Sequence, residues 1–249
     1  MRSNPKINQT NKPNNNTRYL IIALVILFLA TASIFLAVAI SNGAFEKSPD
    51  DIPSSRSTEG NEIRRLDKPI IYLYPEAETE VSIKLGYPEK LTVVYPAYNK
   101  SGWRVLAKPR GELVDLNTGR SLYALYWEGE EENKPELDEG FVVAGSDTTA
   151  FLEEKLAILG LTEREAEEFI IYWLPKMQEN AYNLIRFETL EEINASMPLA
   201  FSVEPDPLIR VMMDFKPLEE KIEVKEQALP KTPARNGFTV VEWGGSEIH

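Results

Sequence analysis

The sequence predicts a transmembrane helix near the N-terminus followed by an α+β domain, mainly an antiparallel β sandwich or barrel with an inserted helical hairpin. Three observations predict this. Tyr19–Ile40 is a run of 22 residues without a charge. From Lys68 to about Gly145, short runs of β-branched and aromatic residues alternate with Gly, Pro and Asn, the texture of short strands joined by turns. Residues 147–180 then change to helical spacing.

Residues 1–18 are polar and Asn-rich, as expected of a disordered tail. As a helix, the apolar run that follows reaches about 33 Å, enough for a hydrocarbon core of about 30 Å. Arg2, Lys6, Lys12 and Arg18 precede it without an acid, while Glu46, Asp50, Asp51 and Glu59 follow it against Lys47 and Arg56. The positive-inside rule then keeps the N-terminus in the cytoplasm and sends the remainder outside. Ala37-Val38-Ala39 fits a signal-peptidase site, but the run is longer than a signal h-region, so a retained anchor is the expectation. Residues 41–67, rich in Ser, Pro and acids, read as a flexible stalk, with the folded domain, 68–249, beginning near Lys68.

Within that domain the expected strands are Ile70–Tyr74, Glu80–Leu85, Leu91–Tyr95, Trp103–Lys108, Glu112–Asp115, Leu122–Trp127 and Phe141–Ala144. In "KPIIYLYP", Pro69 and Pro75 bound a strand with two apolar faces; Tyr72 reads as core and Tyr74 as rim. Asp147 is placed to cap a helix over about 148–159, and Gly160-Leu161 to end it. Thr162-Glu163-Arg164-Glu165 is a capping-box pattern that opens a second helix over about 163–180, which Pro175 should interrupt or kink. Strands return at Asn183–Phe187, Leu199–Val203 and Leu208–Phe215. A Lys/Glu/Pro-rich connector runs from Lys216 to Arg235, and Gly237–Trp243 closes the chain as a strand.

Composition excludes several chemistries. There is no cysteine, and the one histidine is the terminal His249. Disulfides, thiolate catalysis, cysteine-ligated zinc and multi-histidine metal sites are therefore ruled out or strongly disfavoured, and no cofactor is implied. The net charge is −12, and since residues 1–40 carry +4, the rest carries −16. Such a domain repels phosphate backbones, so nucleic acid is not an expected partner; cations, basic proteins or neutral glycans suit it better.

Several stretches carry a resemblance: Lys68–Pro75 (KPIIYLYP), Thr92–Asn99 (TVVYPAYN), Leu125–Gly129 (LYWEG), Phe169–Pro175 (FIIYWLP) and Gly237–Gly245 (GFTVVEWGG). Over roughly 68–245 the chain is similar to a family of bacterial proteins, often secreted or membrane-anchored, for which no activity is established. The resemblance implies one continuous domain with an integral C-terminal strand. It implies no substrate, cofactor or catalytic residue.

Candidate sites must come from the residues themselves. Glu128 and Glu242 each adjoin a tryptophan, Trp127 and Trp243; two such carboxylates facing a sugar would suit acid–base hydrolysis. The other reading puts both glutamates where strands leave a core that buries the tryptophans. Glu128–Glu139 holds seven acids and one lysine, a composition that permits Ca²⁺ but lacks the alternation of a calcium loop. Asp115-Leu116-Asn117-Thr118-Gly119 reads as a hairpin turn, and no metal site is expected. Tyr95, Tyr98, Trp103, Trp127 and Trp243 are the aromatic binding candidates. Together these observations favour a single-pass protein displaying a binding or scaffolding domain at the cell envelope, with membrane contact through 19–40 and a peptide, protein or glycan partner. A carboxylate-dependent hydrolase of envelope glycans is the alternative.

Overall fold

The computed structural model describes residues 63–132 and 135–249. The tail, the apolar segment 19–40 and most of the expected stalk lie outside them. Among the described residues no helix is long and apolar enough to cross a membrane.

The domain is a β-rich α+β fold of two sheets and three helices. The strands are β1 (Arg64–Tyr74), β2 (Thr79–Leu85), β3 (Leu91–Tyr95), β4 (Trp103–Ala107), β5 (Leu113–Asp115), β6 (Ser121–Leu122) and β7 (Leu125–Glu131). They continue with β8 (Glu139–Ala144), β9 (Tyr182–Phe187), β10 (Leu199–Phe201), β11 (Leu208–Leu218), β12 (Lys225–Glu226) and β13 (Thr239–Glu247). The helices are α1 (Thr148–Ile158), α2 (Glu163–Met177) and α3 (Leu190–Ser196).

An eight-stranded sheet has the order β12-β8-β9-β11-β13-β1-β7-β3, and a five-stranded sheet the order β10-β2-β4-β5-β6. The large sheet is mixed rather than purely antiparallel: β13 runs parallel to β11, and β12 parallel to β8. The reason is the Lys/Glu/Pro connector. It carries the chain from β11 past the far edge of the sheet and back to its centre, a crossover that only a long link permits. On the way, the Gln227 side chain accepts from Phe187 N at 2.9 Å and donates to Phe187 O at 2.6 Å, extending the pairing of β9.

Two apolar clusters separate three layers. Phe169, Trp173 and Met177 of α2 pack with Leu152 and Leu156 of α1 against Ile70, Val211, Val241 and Trp243 on one face of the large sheet. On the other face, Ile71, Leu73, Leu125, Trp127 and Val240 meet Val81, Ile83, Trp103 and Val105 of the small sheet. Covered on both sides, β13 is buried almost throughout, as a central strand should be.

Most of the expected elements recur at these positions, and the departures have local causes. The strand expected at Leu122–Trp127 is split, because the chain leaves the small sheet after Leu122 and enters the large one at Leu125. Asp147 sits at the start of α1, but its side chain makes no capping bond; it accepts instead from the Ser146 hydroxyl at 3.3 Å. Thr162 and Glu165 form the full capping box, and Gly160, at φ +92°, ends α1 with Leu161 buried beside it. Pro175 does not stop α2, which runs to Met177. The carbonyl it leaves unpaired belongs to Ile171, an exposed residue where water can serve it. Helix α3 was not expected, nor was the early start of β1 at Arg64, inside the predicted stalk.

The start of β1 depends on a bulge. Asp67 pairs with Gly245 and Ile70 with Trp243, so Lys68 and Pro69 together face Gly244 alone. Pro69 has no N–H to offer a ladder, and Lys68 takes the left-handed conformation at φ +63°. Gly244 lets this bulge close down: a Cβ there would lie 2.9 Å from Pro69 Cα. Pro69 is thus a kink within a longer strand, not its boundary.

Candidate functional site

The two motif glutamates do not face one another. Ile70 pairs with both Trp243 and Tyr126, so those three side chains share the helix-side face; Ile71 pairs with Glu242 and Leu125, which share the opposite face. Alternation then puts Glu128 with Tyr126 and Glu242 with Trp127, on opposite sides of the sheet. Glu242 is fully buried. It accepts from Trp127 Nε1 at 2.8 Å and from Arg210 Nε at 2.6 Å, and Arg210 also donates to Asn194 Oδ1 and Met197 O. Helix α3 is thereby tied to the sheet.

Trp103, Trp127 and Trp243 are each buried to 1% exposure or less, which removes them from any direct ligand contact. Trp103 Nε1 donates to Pro96 O, and its ring meets Tyr98 edge-on at 4.9 Å. The Tyr98 hydroxyl accepts from Leu85 N. Of the five aromatic candidates, Tyr95 alone is exposed, at 47%. Tyr72 is core and Tyr74 half-buried; their hydroxyls donate to Glu168 and Glu165 of α2, at 2.6 and 2.7 Å, and so pin the hairpin to the sheet.

Four of the seven acids of the run are held in pairs. Glu128 accepts from the Tyr126 hydroxyl, Glu130 lies 3.9 Å from Arg65, Glu131 is buried on Arg64, and Glu139 meets Lys225 at 2.8 Å. The Asp115 carboxylate closes its own turn, accepting from Asn117 N and the Thr118 hydroxyl. No cluster of three or more Asp, Glu or His side chains suited to a metal ion occurs among the described residues.

Arg64 gives no local sign in the sequence of the role it takes. Beyond the bulge it points between the sheet and α3, where it donates to Glu131 at 2.8 Å, Asp214 at 2.5 Å, Glu188 and the Ser246 hydroxyl. Glu131 also accepts from the Ser196 hydroxyl at 2.6 Å and lies 3.8 Å from Lys90 Nζ. Three carboxylates around one guanidinium are crowded. Burial pushes Asp214 up to about 7 despite Arg64, with Glu188 adding to the rise, and burial likewise raises Glu188. Asp214 Oδ2 and the Nε and Nη1 atoms of Arg186, directly opposite on β9, have no hydrogen-bond partner among the described residues.

A pH dependence follows. Between the ordinary value of 3.8 and about 7, folded Asp214 keeps a proton that the unfolded chain has lost, so stability falls as pH rises through this window. Chemical denaturation of the full chain at pH 5 and pH 8 should show this decline, and Asp214→Asn should flatten it. An unchanged slope in the variant would place the titration elsewhere.

A half-exposed polar surface lies on the helix-side face of β7 and β3. Tyr126 and Tyr95 are directly paired, as are Glu128 and Val93, so these four side chains form one patch. Val93 is 43% exposed. The strained Lys68 reaches over it, its Nζ 5.3 Å from the Tyr126 ring centre and 5.6 Å from that of Tyr172 on α2. A non-glycine residue at positive φ costs about 1–2 kcal/mol, and two cation–π contacts of about 0.5–1 kcal/mol each offset it. Asp67, beside Lys176 at 3.9 Å, is raised by burial against that lysine's pull. Burial and the bond to Glu128 hold the Tyr126 phenol protonated, so it acts as a donor. The patch thus offers aromatic faces, a carboxylate and an ammonium within one half-open surface. That chemistry suits recognition by stacking and hydrogen bonding; the described residues there show no nucleophile–base pair.

Comparisons with family models, with curated proteins and with solved structures give no match.

Proposed function

We propose that the chain is a membrane-anchored binding or scaffolding protein of the cell envelope, displaying its β-rich domain outside the cytoplasm to a peptide, protein or glycan partner. The observation that carries this reading is the half-open patch of Tyr95, Tyr126, Glu128, Lys68 and Tyr172 at the uncovered end of the large sheet. The charge asymmetry around 19–40 supports the anchor and its orientation, and the resemblance to secreted and anchored bacterial proteins points the same way. The hydrolase alternative loses its motivation, because its two carboxylates lie on opposite faces of one sheet.

Glycan and peptide arrays probed with the full chain test the reading. Removing the Tyr126 ring (Tyr126→Ala) is expected to weaken binding by about 1–3 kcal/mol, while Tyr126→Phe, which keeps the ring, should lose less. Array binding indifferent to Tyr126→Ala would move the site elsewhere. Orientation is tested separately: protease added to intact cells should degrade the domain, and full protection would reverse the topology.

A further inference from the structure

Among the described residues, the outermost strand on this side, β3, is paired with β7 and with no other strand. Its sequence, Leu91-Thr92-Val93-Val94-Tyr95, has no charge, no glycine and no proline. Natural edge strands are usually blunted by lysine, proline, bulges, a charge pointing inward or a covering loop; here a bulge between Leu91 and Val93 and the flanking Lys90 and Pro96 confine the regular edge to Val93–Tyr95, and Thr92, Val93 and Tyr95 are exposed. The opposite edge of the same sheet ends in the two-residue β12. Val94 faces the other way, packed on the cluster between the sheets. A further strand laid beside β3 would therefore find backbone partners, an apolar row at Val93 and Tyr95, and a continuation of the inter-sheet core at Val94.

The surroundings select the occupant. Glu89 precedes the strand, Glu128 lies opposite Val93, and Glu130 flanks a cavity of about 600 Å³ formed with Ile63, Leu91 and Thr92. Of the nearby cations, Lys90 donates to Ser196 O, Arg65 sits 3.9 Å from Glu130, and Lys68 lies over the Tyr126 and Tyr172 rings. A second copy of this chain would bring the same acids to the junction and a second net charge of −12. A strand with basic flanks meets complementary charge instead.

We infer that β3 is a docking edge for an extended peptide segment of another protein, with alternating apolar residues and Lys or Arg at its flanks, which adds as a ninth strand to the large sheet. This deepens the binding reading and rests on it.

The test uses the full chain and a library of short peptides randomised at alternate positions. Selection should enrich alternating Val, Ile, Thr or Tyr between basic ends. Methylating alternate backbone nitrogens of a selected peptide should weaken binding about tenfold or more, since ladder bonds are lost while side chains remain. Val93→Lys with Tyr95→Lys, both at exposed positions, should do the same. Amide exchange should slow at 91–95 when the peptide is bound. Several results would overturn the inference: enrichment of acidic or helical peptides, affinity insensitive to N-methylation, or a concentration-dependent dimer of the chain abolished by Val93→Lys. If array ligands still need Tyr126 but no peptide requires the β3 edge, the edge proposal fails and the patch stands; if nothing binds either, both fall.

Discussion

Replacing Arg64 with methionine is expected to destabilise the domain by about 3–5 kcal/mol. The guanidinium is buried and is the shared donor for Glu131, Glu188 and Asp214. Without it, three carboxylates remain in a closed space between the sheet and α3, and each must be either desolvated as an anion or protonated. The loss should therefore be smaller at pH 5 than at pH 8, because protonation relieves the repulsion. Neutralising the partners as well, with Glu131→Gln, Glu188→Gln and Asp214→Asn, should recover much of the loss, since buried ion clusters replaced as a unit are often neutral or stabilising. Urea denaturation followed by tryptophan fluorescence measures all of these. A loss below about 1 kcal/mol in Arg64→Met, the range of surface pairs, would show that Arg64 does not hold the N-terminal end of β1.

Glu242→Gln is expected to cost about 3 kcal/mol for the mirror-image reason: it leaves the Arg210 guanidinium buried without its counter-charge. Glutamine can still accept from Trp127 Nε1, so the packing of Trp127 should persist while stability falls. This separates a structural from a catalytic glutamate. Active-site acids are commonly held at a cost to stability, so their amide variants tend to be unchanged or more stable. A stable Glu242→Gln variant with altered turnover on any glycan would restore the hydrolase reading.

Both residues show what the sequence could and could not reveal. Leu91–Tyr95 is legible because its run of β-branched and aromatic residues and the Pro after it are local, and the hairpin because Thr162 and Glu165 announce its second helix in four residues. The same Thr-x-x-Glu pattern at Thr189 and Glu192 caps α3, but seven helical residues amid strands give too little periodicity to recognise. Arg64 looked like part of the stalk because its partners lie 67, 124 and 150 residues away. Likewise, Trp127 and Glu242 each stand out locally, but that they bond to one another across 115 residues is a property of the sheet order. The mixed character of the large sheet was hidden for the same reason: strand direction is set by the path of the connector, which leaves no mark in the strands themselves. Burial separated the candidates the sequence had grouped, sending Trp103, Trp127 and Trp243 to the core and leaving Tyr95 at the surface.

The central claim is that the motif acids and tryptophans build the domain and that recognition occurs at the uncovered end of the large sheet. Tyrosine nitration of the full chain, mapped by mass spectrometry with and without a ligand selected on the arrays, tests it most directly. Tyr95, exposed, should react in the free protein and be protected when ligand is bound, while Tyr72, buried on Glu168, should stay unreactive in both states. Tyr95 reacting equally with and without ligand, while protection falls on Tyr87 or Tyr123, would contradict it.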